Sequence, residues 1–192
     1  MTIVIGDITM SLDGYVSGEG PAVERLHTWA LDSDDLVDAD VLRRHTAASG
    51  AVVMGRRTWD VVDAPGGWDD DLGYGAREAT QGSTAFVVVT HEPPASVRQD
   101  IDVTFVDSLE AAVARAREVA GSREVFVMGG AAVVGGCLRA GLLDELRLHL
   151  APEILGTGTA LFDDVGAHRL VQRSVEVSPV AVHLTYDVQR LP

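Results

Sequence analysis

Val53-Met54-Gly55-Arg56-Arg57-Thr58-Trp59 and Val125-Phe126-Val127-Met128-Gly129-Gly130-Ala131-Ala132 each join an apolar run to glycine and then to residues able to start a helix. Such a junction presents unpaired backbone N–H groups and the positive end of a helix dipole, a setting that favours bound phosphate. Two of them in one small chain point to a dinucleotide held across a sheet. In the first, Gly55 permits a tight turn, Arg56 and Arg57 flank the free N–H groups, and Thr58 offers a hydroxyl to a pyrophosphate oxygen. The paired arginines also suit the 2′-phosphate that distinguishes NADP from NAD. In the second, Gly129 and Gly130 remove side chains where a cofactor would approach the backbone. Neither segment is Gly-x-Gly-x-x-Gly, so a Rossmann domain is not implied.

These junctions need a frame, and composition bounds it. The 192 residues suit a single domain spanning 1–192, with a sizeable core and one main cleft. A net charge of −14 repels polyanions, which argues against nucleic acid and anionic membrane surfaces as partners. All of the positive residues are arginine, so Schiff-base chemistry and lysine-dependent phosphate loops are excluded. The lone Cys137 sits in an apolar run and reads as a small buried hydrophobe. The first residues lack a basic leader and no apolar stretch reaches membrane-spanning length, so a cytoplasmic location is expected. No His-x-Glu with Cys-x-x-Cys occurs, so a fused zinc deaminase is absent from the sequence and no metal is expected.

Strand and helix patterns alternate along the chain, as in an α/β layer fold. Residues 2–10 read as a first strand followed by the turn-prone Ser11-Leu12-Asp13-Gly14. A helix around 36–48 is expected to end at Gly50, and Ala51 to Met54 to form a short buried strand. Residues 64–83, with Pro65, five glycines and a run of aspartates, read as the longest loop and a candidate wall or lid. Phe86–Thr90 and Val103–Val106 are strands, and Ser108 caps a helix with an apolar face of Leu109, Ala112, Val113, Ala116 and Val119. Val125–Met128 is a strand, and the helix after it closes at Gly141. Leu146, Leu148 and Leu150, and later Val180 to Val188, alternate with polar residues, which predicts half-exposed or antiparallel strands at the C-terminus.

The strand-Met-Gly-Arg-Arg-Thr-Trp and strand-Met-Gly-Gly-Ala segments together resemble the dihydrofolate reductase superfamily. Thr9-Met10-Ser11-Leu12-Asp13-Gly14-Tyr15-Val16, Asp144-Glu145-Leu146 and Pro152 to Phe162 are most similar to the RibD C-terminal branch, the reductase domain of riboflavin biosynthesis. The resemblance implies a three-layer α/β/α fold with a mixed, mostly parallel sheet and antiparallel C-terminal strands. It implies NADPH as cofactor, with Gly55, Arg56, Arg57 and Thr58 at the adenosine-side phosphates and Thr90 and His91 beside the adenine ribose. Met128, Gly129, Gly130, Ala131, Ala132 and Val133 would meet the pyrophosphate and nicotinamide ribose. The backbone at Thr9 and Met10 would fix the carboxamide, with Asp13 to Val16 closing over the nicotinamide. A homodimer built on the C-terminal strands is a further implication.

The substrate side matches the folate branch poorly. The position of its helical carboxylate falls on Ala39, flanked by Asp38 and Asp40, which are turned by about 100° to either side. The positions of the folate-tail arginine and the pterin-binding threonine fall near Gly82 and Leu148. Asp38, Asp40, Glu24, Asp7 and His27 are all candidate proton donors, with Asp38 and Asp40 favoured by position, and Arg147 or Arg77 could hold a substrate phosphate. The activity that the resemblance to the RibD branch implies is reduction of a small heterocycle of the 5-amino-6-(5-phosphoribosylamino)uracil type or a relative of it. A dihydrofolate reductase and a protein that binds NADPH without turnover are the alternatives.

Overall fold

The computed structural model describes residues 2–64, 84–97 and 101–189, together with Gly67 and Gly73. The loop expected over 64–83 therefore falls almost wholly outside the described residues. In chain order the elements are β1 (Val4–Ser11), β2 (Tyr15–Ser17), α1 (Pro21–Glu24), a 3-10 turn (Arg25–His27), α2 (Thr28–Leu31), α3 (Leu36–Ala48) and β3 (Ser49–Gly55). There follow α4 (Arg56–Val62), β4 (Ala85–Val89), β5 (Val103–Val106), α5 (Leu109–Ala120) and β6 (Glu124–Val127). The last are α6 (Ala131–Arg139), β7 (Glu145–Ala151), β8 (Thr159–Ala160), β9 (Arg169–Val177) and β10 (Val182–Gln189).

Eight strands form one mixed sheet in the order β5-β4-β3-β6-β1-β7-β10-β9. The pairings from β5 through to β7 are parallel, and β10 runs antiparallel to β7 and β9. Helices cover both faces. One face carries Val4, Ile8, Ala51, Val53, Val125 and Leu146, packed against Ala112, Val113 and Ala116 of α5 and Val134 and Leu138 of α6. The other carries Ile5, Val52, Met54 and Phe126 with Trp59 and Val62 of α4, while Val41 of α3 packs with Trp29 and Ala181. Among the described residues no helix is long and apolar enough to cross a membrane.

The structure corrects the expected end of α3. Gly50 is not a helix cap but the second residue of β3, and Ser49 is where the helix ends. The reason for glycine is close approach: a Cβ on Gly50 would stand 2.8 Å from the Ala120 carbonyl oxygen and 2.9 Å from Ala120 Cα. β7 also departs from expectation, since it pairs in parallel with β1 on one side and antiparallel with β10 on the other. Its alternating His149 is buried rather than solvent-facing. Because the Gly50 contacts are to backbone that cannot swing aside, Gly50→Ala is expected to cost roughly 1–3 kcal/mol, as overpacking does. Equilibrium denaturation checks this, and an unchanged midpoint would contradict the packing account.

Candidate active site

Between β3 and β6 the strand order reverses direction, so the helices that follow these two strands leave on opposite faces. α4 packs with Met54 and Phe86, and α6 packs with Val4 and Ala112. A crevice at the carboxyl ends of the strands results, the place where open α/β sheets bind ligands. The two glycine junctions form its floor. Gly55 N–H donates to the Gly129 carbonyl at 2.9 Å and Met128 N–H to the Val53 carbonyl at 3.0 Å. Segments seventy residues apart are thus fastened side by side.

The backbone at the second junction is shaped for close approach. Gly129 has φ +126°, a region that side chains disfavour, and a Cβ on Gly129 or Gly130 would meet nothing nearer than 3.9 Å, where Thr58 Oγ1 stands. The Gly129-Gly130 peptide is cis. Gly130 is the N-cap of α6, and among the described residues no side chain caps the N–H groups of Ala131 and Ala132. At the first junction Arg57 is exposed. Arg56 is half-buried and bonds Asp60 at 2.6 Å and the Glu92 carbonyl, which draws the Thr90–Glu92 turn alongside α4. That turn is closed by Thr90 Oγ1, which accepts from Glu92 N–H at 3.1 Å. The structure therefore brings Arg56, Thr58, Thr90 and His91 to the same rim as Gly129 and Gly130.

The third wall is β1. Its ladder with β6 ends at Gly6 opposite Val127, while its ladder with β7 continues to Ser11 opposite Ala151. Ile3 turns its carbonyl to β6 and Val4 to the β7 side, so by alternation the main-chain groups of Thr9 face the gap that opens beyond Gly6. Met10 and Val16 pack onto the core at this end. The loop between β1 and β2 is clasped. The Asp13 carboxylate accepts from Ser11 Oγ at 2.6 Å, Leu155 N–H at 3.1 Å and Gly156 N–H at 2.7 Å. The Ser11 bond and then those backbone donors hold Asp13 below the usual carboxylate range.

Beneath this crevice, on the α3 face, lies a polar cluster. Thr9, His149 and His183 are neighbours in register across β1, β7 and β10. Trp29 lies over them, stacked on His149 at 4.0 Å and donating from its indole N–H to Thr9 Oγ1 at 2.9 Å. Asp7 Oδ1 meets His149 Nε2 at 2.9 Å and Asp7 Oδ2 meets His45 Nδ1 at 2.9 Å. His149 Nδ1 meets His183 Nδ1 at 2.7 Å, and His183 Nε2 meets Asp38 Oδ1 at 2.8 Å. Asp38 is 0% exposed and takes a further bond from Ser33 Oγ. Ligand-type atoms of Asp7, His45 and His149 lie within 4.8 Å of one another, each already engaged by another of the three.

The candidate proton donors thus separate. Asp38 points inward onto His183, whereas Asp40 is on the outer face of α3, exposed and paired with Arg43 and Arg44 at 2.6 and 2.8 Å. Glu24 and His27 are exposed. Arg147 is committed to Glu145 and Glu124 and lies over the Phe126 ring at 5.3 Å, and Arg77 lies outside the described residues. The histidines of the cluster are what sequence reasoning missed. His149 and His183 stand at equivalent places in the two alternating C-terminal strands, and that was the one signal of them.

The sequence profile of the RibD C-terminal domain matches residues 2–184, so the chain belongs to the RibD C-terminal domain family, a family of riboflavin-biosynthesis reductase domains. A curated relative, the uncharacterized protein YyaP of Bacillus subtilis, is 24% identical over 167 residues, 84% of this chain and 81% of its own. A putative riboflavin biosynthesis protein from Shewanella superimposes with a TM-score of 0.67 at 21% identity, covering 99% of this chain and 100% of the other. RibD of Acinetobacter baumannii gives 0.68 at 17% identity, over 99% of this chain and 59% of the longer one. These structures confirm the fold that the resemblance implies.

Burial alone would raise the Asp7 carboxyl, but the charges of His149 and His45 and their hydrogen bonds outweigh it and hold Asp7 well below its ordinary 3.8. A carboxylate held down in this way adds stability above its unfolded pKa, and that stability is lost as pH falls below about 4. Asp7→Ala, which strands two imidazole N–H groups, is expected to cost about 3–5 kcal/mol at pH 6. The gap to wild type should narrow steadily as thermal melts are repeated from pH 4 downward. A gap constant with pH would show that the carboxylate charge is not what stabilises.

Proposed function

We propose that this protein is an NADPH-dependent reductase of a small heterocyclic or carbonyl-type acceptor, with an aminouracil bearing a ribosyl phosphate as the leading substrate class. The observation that carries the reading is the crevice in which Gly55 is bonded to Gly129 while the main chain of Thr9 is left facing the gap. The residues fit a dinucleotide: among the described residues no side chain comes nearer than 3.9 Å to a Cβ placed on Gly129 or Gly130, α6 begins without a side-chain cap, and arginines stand at the far rim. Thr58, Ala131, Ala132 and Val133 would line the diphosphate, Arg56, Arg57, Thr90 and His91 the adenosine end, and Thr9, Met10, Val16 and Met128 the nicotinamide end. The cofactor supplies hydride when bound, and the chain orients it and excludes water.

The acceptor class draws support from family membership and from relatives of similar fold, one of them a deaminase and 5-amino-6-(5-phosphoribosylamino)uracil reductase of Thermotoga maritima. Folate reduction is disfavoured, because Asp38 is wholly buried on His183 and is not free to grip a pterin. A cytoplasmic enzyme is proposed, and a homodimer too, for β9 is an edge strand exposing Val171, Val175 and Val177.

Titration of NADPH and NADH, followed by thermal shift, tests the cofactor. NADPH is expected to stabilise the wild type, and Arg56→Ala/Arg57→Ala to weaken NADPH about tenfold or more, equivalent to roughly 1.4 kcal/mol, with a smaller effect on NADH. Stabilisation by neither cofactor would sink the assignment. Binding without oxidation against any acceptor offered would leave a sensor in place of an enzyme.

A further inference from the structure

Asp7, His149, His183 and Asp38 form an unbroken row: carboxylate, imidazole, imidazole, carboxylate, with gaps of 2.9, 2.7 and 2.8 Å. Each gap lies between two atoms that both carry lone pairs, so each needs one proton to be attractive rather than repulsive. Three gaps need three protons. Two ionised carboxylates and two neutral imidazoles bring only two, and every placement of two leaves one gap with lone pairs facing each other. Four protons fail as well, since one of the three gaps would then hold two hydrogens facing each other, the 2.7 Å Nδ1–Nδ1 gap when both imidazoles are charged. His45 and Ser33 bring their own protons to the outer oxygens of Asp7 and Asp38 and do not alter the count.

Burial acts on this unit as a whole. A lone imidazolium at His183 is disfavoured by burial and then by the charge of His149, against the pull of Asp38. The row, however, also buries two carboxylates. With two protons it carries a charge of −2 in the protein interior, and the third proton halves that to −1. The neighbouring charged groups are Arg147 beside Asp7 on β7, Glu176 opposite His183 on β9, Glu124 near His45, and His27 near His149. Glu176 is paired with Arg44, and Arg147 with Glu145 and Glu124.

We propose that these four side chains are a buried proton store, holding one proton beyond two carboxylates and two neutral imidazoles and supplying it through Ser33 when an acceptor is reduced. The supply half rests on the reductase reading; the store itself does not. Hydride addition to the carbon of a C=N or C=O bond, with reduced nicotinamide as donor, turns the π pair into a lone pair on nitrogen or oxygen. That lone pair takes one proton, the row passes from −1 to −2, and water recharges it. Ser33 is the partly exposed end of the row and donates its hydroxyl to the second oxygen of Asp38; for release that hydroxyl turns outward, gives its proton to the acceptor and takes the row's proton from Asp38. The four residues are positioning and storage groups, since Asp38 is buried away from any ligand.

Asp38→Asn discriminates cleanly. An amide can donate to His183 Nε2, after which His183 donates to His149 and His149 to Asp7, so all three gaps are filled with no stored proton. In apo protein labelled with 15N-histidine and 13C-carboxyl aspartate, NMR between pH 6 and 8 is expected to count three protons on the wild-type row and two on the side chains that remain titratable in the variant. Asp7→Asn is the mirror image and serves if Asp38→Asn fails to fold. A wild-type count of two overturns the store. With an acceptor that the wild type reduces, single-turnover hydride transfer in Asp38→Asn should fall roughly 100-fold, within the usual range for general acid assistance, and lose its pH dependence while NADPH affinity holds. Unchanged turnover beside a lost proton overturns the supply role. Absence of wild-type turnover with every acceptor counts against the reductase reading alone, because the proton count is read without cofactor or substrate.

Discussion

The structure depends on one backbone constraint: β3 and β6 must lie side by side in parallel, although seventy residues separate them. Parallel neighbours require crossovers, and the two crossovers here leave on opposite faces, α4 toward Met54 and Phe86 and α6 toward Val4 and Ala112. The hydrogen bond from Gly55 to the Gly129 carbonyl fixes the point of divergence. Glycine suits both sides of that bond, for a Cβ on Gly55 would stand 3.0 Å from Val133 Cγ2, and Gly129 takes a φ of +126° that side chains disfavour. A crevice with a bare floor follows from this packing rather than from any side chain that reaches into it.

The second organising element is the change from parallel to antiparallel pairing at β7. Because β10 returns alongside β7, residues on one face of β1, β7 and β10 fall into rows, and two of those rows are polar. In most sheets such a face would be solvated. Here α3 and Trp29 cover it, so every polar group must find a partner from within. Asp38, Val41 and His45 share the inward stripe of α3, which is why that helix supplies both a carboxylate and an imidazole to the cover.

Much of this architecture was legible in the sequence. The strand-glycine-helix junctions, the apolar stripe of α5 and the buried strands at 86–90 and 125–128 all carry periodicity or turn chemistry that local physics dictates, and four motifs in order identified the branch. Gly50 misled because glycine after a helix reads as a cap, whereas its cause is the α5 backbone packed across the sheet. The alternation in β7 and β10 was read correctly as period two, yet period two does not say which side is wet. His149 and His183 looked like solvent-facing residues since the cover over them comes from residues 29 to 45, far away along the chain. Nor could spacing distinguish Asp38 from Asp40, two residues that share a helix but not a face.

The buried row also bears on how the chain is made. Its members come from positions 7, 38, 149 and 183, so the row stays incomplete until residue 183 has been synthesised, well after β1 has gained both of its neighbouring strands. Until β10 docks, Asp38 and His149 each lack the imidazole of His183, and sealing α3 over them would bury charge without compensation. Closure of that face is thereby deferred until β10 has emerged, and a chain cut short before residue 183 is marked by an interior it cannot afford to close.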